Sequence, residues 1–207
     1  MNAGVKAVLL DFGGVIADEG FKNGLYQIAR DNGLDEEAFF EKAREAIHDT
    51  GYLLGTGTEK EFWDELRRET GIRGADRDLR ETILKGFIVR PWMLEVIGRL
   101  KSLGVRVAIL SDQTDWLDEL EESMRIFGLF ERVFNSYHLG KSKLSPSIFT
   151  DVLGEMGLAP HEALFVDDTP GHVERARSMG LNAILFKGRE DFLHRLASYC
   201  PGLPEKG

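Results

Sequence analysis

The stretch Val5-Lys6-Ala7-Val8-Leu9-Leu10-Asp11-Phe12-Gly13-Gly14-Val15 decides the fold. A near-continuous aliphatic run is how a strand buried on both faces of a parallel sheet reads, and here it stops abruptly at a carboxylate followed by two glycines. In open α/β sheets ligands bind just past the carboxyl ends of the strands, so Asp11 is aimed at a crevice. The same arrangement recurs twice. The run Val105 to Ser111 ends in Ser111-Asp112, and Ala163 to Asp168 ends in Asp167-Asp168. A single Asp at a strand end is an ordinary turn residue or helix cap. Three strands delivering polar groups to one rim is a different matter.

From Val105 onward short aliphatic runs alternate with helical patterns, as in βαβ units. Strands are expected at Arg106 to Leu110, Arg132 to Asn135, Ala163 to Val166 and Ala183 to Phe186. Helices are expected at Trp116 to Phe127, Pro146 to Met156, Gly171 to Met179 and Glu190 to Tyr199. With the strand before Asp11 this predicts an α/β fold, a doubly wound sheet of about five parallel strands with helices on both faces. Between Asp18 and Phe87 no strand is evident. Four helical segments replace it, Phe21 to Asn32, Glu36 to His48, Glu59 to Thr70 and Asp76 to Phe87. Asp35 can cap the second, and Thr58-Glu59-Lys60-Glu61 has the form of a capping box. Pro91 suits the first turn of a fifth helix running through Leu94, Ile97 and Leu100. The expected division is therefore a core of residues 1–17 and 88–207, with a four-helix cap of residues 18–87 that leaves and rejoins the core over the rim where Asp11 points. The tail Pro201 to Gly207 is expected to fray.

Composition narrows the possible partners. The 207 residues carry 26 Lys and Arg against 35 Asp and Glu, a net charge of −9, with no basic cluster to follow a phosphate backbone, so nucleic acid is not an expected partner. A single cysteine, Cys200, forms no internal disulfide. The N-terminal apolar stretch is too short to span a membrane and poor as a secretory signal. A cytoplasmic enzyme acting on a small molecule is the expectation, and the oligomeric state is open.

In order and placement, Asp11-Phe12-Gly13-Gly14-Val15, Ser111, Lys143 and Asp167-Asp168 resemble the four motifs of the haloacid dehalogenase-like superfamily, and the resemblance extends over nearly the whole chain, with a Rossmann-like core and a helical cap inserted after the first motif. It implies catalytic roles for Asp11, Ser111 and Lys143. Asp11 would attack a substrate phosphorus and form an aspartyl-phosphate that water hydrolyses, splitting one hard displacement into two easier ones. Substrate contacts would come from Ser111, Asp112, Lys143, Gly13 and Gly14. Mg²⁺, which takes near-octahedral oxygen coordination, would be held by Asp11, the backbone carbonyl of Gly13, and Asp167 and Asp168. Asp168 is the favoured direct ligand, with Asp167 behind it or sharing the metal. The third motif resembles a Lys-Pro-Asp-Pro segment, but here it reads Lys143-Leu144-Ser145-Pro146. Lys141 therefore competes for the role, although the spacing to Pro146 and Phe149 favours Lys143.

Two departures stand out. Most phosphatases of this superfamily carry an Asp where this chain has Gly13, as general acid for the leaving oxygen and base for the hydrolytic water. Without it, water or a less well placed group such as Asp18 would have to serve, and rate would depend steeply on the leaving group. His172 stands where the fourth motif commonly has Asn. The resemblance thus implies a Mg²⁺-dependent hydrolase of small phosphorylated metabolites such as a sugar phosphate. The alternatives are a dehalogenase, which attacks carbon and needs no metal, and a silent binding protein. Tyr52, Glu61, Phe62 and Trp63 are candidates for cap contacts to substrate, although an aromatic pair on an amphipathic helix is the usual mark of core packing.

Overall fold

The computed structural model describes residues 4–203, so the tail from Pro204 onward, like Met1 to Ala3, lies outside the described residues. Five parallel strands form one sheet in the order β3-β2-β1-β4-β5, with β1 at Ala7–Leu10, β2 at Arg106–Ser111, β3 at Arg132–Asn135, β4 at Ala163–Asp167 and β5 at Asn182–Leu185. The central position of β1 follows from its sequence, since all four of its residues are buried. It pairs with β2 on one side and β4 on the other, Leu10 standing opposite Ile109 and Val166. This register brings the ends of the three central strands level, so Asp11, Ser111 and Asp167 emerge at one edge.

Alternation along each strand sends side chains to two separate layers. Val8, Leu10, Val107, Ile109, Leu164 and Val166 face one layer, covered by α5 (Pro91–Ser102), α6 (Trp116–Met124) and α10 (Arg189–Tyr199). Ala7, Leu9, Ala108, Leu110 and Phe165 face the other, covered by α8 (Ser147–Met156) and α9 (Pro170–Ser178). Each fully buried Leu, Ile or Phe contributes about 1.5–3 kcal/mol, which is why a sheet apolar on both faces needs helices on both.

The segment after β1 is helical throughout: α1 (Gly20–Asn32), α2 (Glu36–Asp49), α3 (Glu59–Thr70) and α4 (Asp76–Leu84). The expected caps are present. Asp35 accepts from the Ala38 amide at 2.9 Å, and Thr58 and Glu61 form the reciprocal capping box. At Gly24 a Cβ would stand 2.4 Å from the Ile83 Cα, so only glycine lets α1 and α4 approach this closely. The hydrophobic side chains of these helices are continuous with the first of the two layers. Where the helices leave and rejoin the core, the two connecting segments run side by side. The Asp18 amide donates to the Ile88 carbonyl and the Arg90 amide to that of Ile16, each at 2.9 Å. Arg90 also reaches back with its guanidinium to the carbonyls of Gly14 and Val15 and to the Asp18 carboxylate.

Two helices stop three residues short of the sequence expectation, and one helix was not expected. α6 stops at Met124 rather than Phe127 because Arg125 takes a left-handed conformation at φ 52° and closes the helix. α4 ends at Leu84, freeing Phe87 to fold back over Gly20. A short helix α7 (Ser136–Leu139), which the periodicity did not show, follows β3 directly and is capped by Asn135.

Candidate active site

The turn after β1 is built by its two glycines, which play different parts. Gly14 adopts φ +78°, and a Cβ there would lie 2.0 Å from Asp168 Oδ2, so the Asp168 carboxylate rests directly on this glycine. Gly13 has no such backbone constraint. Asp11 is buried beside them, its Oδ1 accepting from its neighbour's amide, Phe12 N, and from Ser111 Oγ, each at 2.7 Å. Ser111 thus meets Asp11 across a β1–β2 separation fixed by the register.

Of the two lysines, Lys143 is the one that reaches the rim. Its side chain is 1% exposed, and its ammonium lies 2.9 Å from Asp11 Oδ2 and 2.6 Å from Asp167 Oδ2. Lys141 instead pairs with Asp151 away from the rim. The loop carrying Lys143 is held by Asp112, whose two carboxylate oxygens accept from the Lys143 backbone amide at 2.9 and 3.1 Å. Asp112 lines the cleft, but its carboxylate is engaged in that task.

Of the two adjacent carboxylates, Asp167 is completely buried and fully engaged. It accepts from Lys143, from the Thr169 amide at 2.7 Å, and faces His172 Nδ1 at 3.2 Å. Asp168 is half-buried and opens onto the cleft. It does not cap α9, whose N-cap is Thr169 without a side-chain bond. His172, an open question in the sequence, is therefore a partner of Asp167.

The charges perturb one another strongly. Burial pushes Asp11 well above the usual carboxylate range, with Lys143 countering and Asp167 adding to the push. Burial would raise Asp167 too, but Lys143 and His172 hold it well below that range. For Lys143 burial opposes the charged form, and the carboxylates of Asp11, Asp167 and Asp112 more than reverse this, so it is firmly protonated. Asp168 is raised by burial and then by Asp167. One oxygen from each of Asp11, Asp167 and Asp168 lies within 4.8 Å of the others. One buried lysine does not neutralise three carboxylates, and the donor set is the all-oxygen kind a hard divalent cation takes. Asp168, laid over Gly14 and free of other side-chain partners except a long 3.5 Å contact from Thr169, fits such an ion.

The rim opens into a cleft of about 470 Å³ bounded by both the sheet end and the helical segment. Asp11, Gly13, Asp112, Lys143 and Asp168 line its floor, whereas Ser111, Gly14 and Asp167 lie behind that surface. Its far wall comes from Phe21, Lys22, Phe40, Arg44, Ile47 and His48. These residues were missed in the sequence, although Phe40, Arg44, Ile47 and His48 share one face of α2 at spacings of three and four. The aromatic candidates behave as core. Phe62 and Trp63 are wholly buried and pack with Tyr52 and Trp116, the Tyr52 hydroxyl donating to Asp115, and Glu61 is spent on its capping box. Asp18 is turned away toward Arg90 at 3.2 Å. Glu19, not singled out in the sequence, lines the cleft floor, and burial and then Asp168 push it above the ordinary carboxylate range.

Among the described residues no helix is long and apolar enough to cross a membrane. Comparison with known proteins agrees with the geometry. The D-ribitol-5-phosphate phosphatase of Bacteroides thetaiotaomicron is 24% identical over 205 residues, covering 93% of this chain and 97% of its own. Flavin mononucleotide hydrolase 1 of Arabidopsis thaliana is 25% identical over 137 residues, and there the aligned region spans only 56% of the relative's length. Among solved structures, the magnesium complex of a haloacid dehalogenase family enzyme from Bacteroides thetaiotaomicron superposes with a TM-score of 0.74 at 24% identity, over 93% of this chain and 98% of that one. Residues 5–180 match the haloacid dehalogenase-like hydrolases as a family, and the chain belongs to that family of hydrolases.

Proposed function

We propose that the chain is a Mg²⁺-dependent phosphomonoesterase acting on small phosphorylated metabolites through an aspartyl-phosphate on Asp11. The observation that carries this reading is the pairing of Lys143 with Asp11 and Asp167 beneath a third carboxylate, Asp168, that faces the cleft. A dianionic phosphoryl group approaching Asp11 meets a carboxylate already neutralised in part by a fixed ammonium, so the nucleophile and its target do not repel outright. Mg²⁺, bound by Asp11, Asp168 and the Gly13 carbonyl, would supply charge neutralisation for the phosphoryl oxygens. Ser111 holds one Asp11 oxygen in place through its hydroxyl. Asp167 serves by fixing Lys143, with His172 behind it.

The helical segment 18–87 acts in this reading as a cap that excludes water and selects the substrate. Lys22 and Arg44 sit over the Phe40 ring at 4.9 and 5.9 Å, a wall suited to an anionic or polyhydroxylated body on the far side of the phosphate. A carbon-attacking dehalogenase has no use for Asp168 laid open over Gly14, which is why phosphoryl chemistry is preferred. The test is a screen of phosphorylated metabolites with Mg²⁺ and with EDTA. Phosphate release that requires the metal is expected, and dehalogenation of a haloacid in chelator, without phosphate release from any ester, would overturn the proposal.

A further inference from the structure

A side chain at position 13 would press against a carboxylate from another part of the chain. A Cβ built on Gly13 stands 3.2 Å from Glu19 Oε2, 3.3 Å from Phe87 Cε1 and 3.7 Å from Gln113 Nε2. Glu19 comes from the start of α1, on the first connecting segment, and it lines the same floor as Asp11 and Gly13. Its Oε1 accepts a long 3.3 Å bond from the Lys22 amide, which fixes the side chain, and Oε2 faces Gly13. Nothing at Gly13 itself forces a glycine through the backbone, because its φ is not positive. What crowds a side chain there is the carboxylate arriving from elsewhere in the chain, together with the edge of Phe87, which packs on Phe12.

We propose that Glu19 is the general acid and base of this hydrolase, a carboxyl group delivered from the root of the cap in place of one on the residue two after the nucleophile. The inference rests on the phosphomonoesterase reading above. In the first step an Asp11 oxygen forms a bond to phosphorus while the bond from phosphorus to the ester oxygen breaks. The electron pair of that bond goes to the departing oxygen, which takes the proton of the Glu19 carboxyl and leaves as an alcohol. In the second step water attacks the phosphorus of the aspartyl-phosphate and gives one proton to the Glu19 carboxylate. The bond from phosphorus to Asp11 breaks with its pair returning to Asp11, so inorganic phosphate departs and both carboxyl groups are restored. Because Glu19 belongs to the segment joining core and cap, its carboxylate is in place only when α1 is seated. Asp18, the adjacent carboxylate, is excluded from this role by its pairing with Arg90.

The test is a series of phosphomonoesters of graded leaving-group basicity, from nitrophenyl to alkyl phosphates, assayed with Mg²⁺ on the wild type, Glu19→Gln, Glu19→Ala, Asp18→Asn and the double variant Glu19→Ala with Gly13→Asp. The wild type and Asp18→Asn are expected to show a shallow dependence on the leaving group. Glu19→Gln, similar in size, is expected to lose about 10²- to 10³-fold on alkyl phosphates and about tenfold or less on nitrophenyl phosphate. Loss of the helix cap alone would lower the thermal midpoint without tilting that dependence. In the double variant Oε2 no longer crowds position 13, so the new Asp meets the Phe87 edge and Gln113 Nε2 and is expected to recover at least about tenfold on alkyl phosphates over Glu19→Ala alone. A folded Glu19→Gln that loses the same factor on every ester, or less than about threefold on alkyl phosphates, overturns the assignment while leaving the phosphomonoesterase reading intact. A wild type inactive on every ester overturns both.

Discussion

The rim of the sheet and the helical segment over it use charge in opposite ways. At the rim Lys143, Asp11 and Asp167 are almost wholly buried, and both carboxylates lie within 3 Å of the Lys143 ammonium, so each ion depends on its partners. In the helical segment most ion pairs are exposed. Lys60 with Asp64, Arg44 with Glu41 and Arg77 with Glu81 lie on helix surfaces three or four residues apart, where solvent screens them and a pair adds little to stability. Removing one partner of a buried pair costs about 3–5 kcal/mol, because the other is left charged without compensation. The rim is thus electrostatically rigid and tied to one chemistry. The cleft wall can change its charges at little cost to folding, and under the proposed function that leaves Arg44 and His48 free to specify a substrate.

Substitutions can break this comparison. The largest effect is expected from Asp11→Asn, which removes the proposed nucleophile and should lower turnover by at least about 10⁴-fold. Because burial makes an ionised Asp11 unfavourable without metal, the variant's thermal midpoint in EDTA should equal or exceed that of the wild type. Activity within about tenfold of wild type would remove Asp11 from the mechanism.

Asp168→Ala is expected to abolish Mg²⁺-dependent activity with little change in midpoint, since Asp168 is half-buried and has only one long side-chain contact. Calorimetric titration of Mg²⁺ should show binding to the wild type and none to the variant at millimolar metal. Undiminished binding would move the ion elsewhere.

Lys143→Ala should combine both failures. About 3–5 kcal/mol of stability is lost with the buried cation, a fall of roughly 10 °C for a domain of this size, along with the activity. Lys60→Ala on the exposed face of α3 should shift the midpoint by under about 2 °C. Equal shifts in the two melts would show that the contrast between regions is wrong.

On the cap wall, Arg44→Ala is expected to raise KM about tenfold for substrates with an anionic group beyond the phosphate and to leave kcat nearly unchanged. A fall in kcat with constant KM would place Arg44 in the chemistry instead. The smallest effect is a matter of pH. Asp167 is held below its unfolded value, so its contribution is fully present above about pH 4 and is lost as pH falls toward the folded value. The midpoint of Asp167→Asn should therefore fall less steeply than that of the wild type between about pH 4 and pH 2. Parallel slopes would mean that the pair with Lys143 does not stabilise the fold.

The sequence by itself determined most of the core. Aliphatic runs ending in Asp11, Ser111 and Asp167 marked the strands, because burial on both faces leaves no other way to write them, and caps such as Asp35 and Thr58 marked the helix starts. Asp11, Ser111, Asp167 and Asp168 were legible because each sits at the end of its strand or directly after it, whereas Lys143 lies on a loop beyond α7. Only the tertiary structure decided between Lys143 and Lys141, since two lysines two positions apart differ in where the loop turns them and not in their chemistry. It also decided that Asp167 is consumed by Lys143 while Asp168 faces the cleft, a consequence of adjacent side chains at a strand end pointing opposite ways. The wall of the cleft and the placing of Glu19 against Gly13 depend on how α1 and α2 seat against the sheet. That seating is fixed by close approaches such as Gly24 on Ile83 and Gly20 beneath Phe87, contacts between residues about 60 positions apart that local periodicity does not encode.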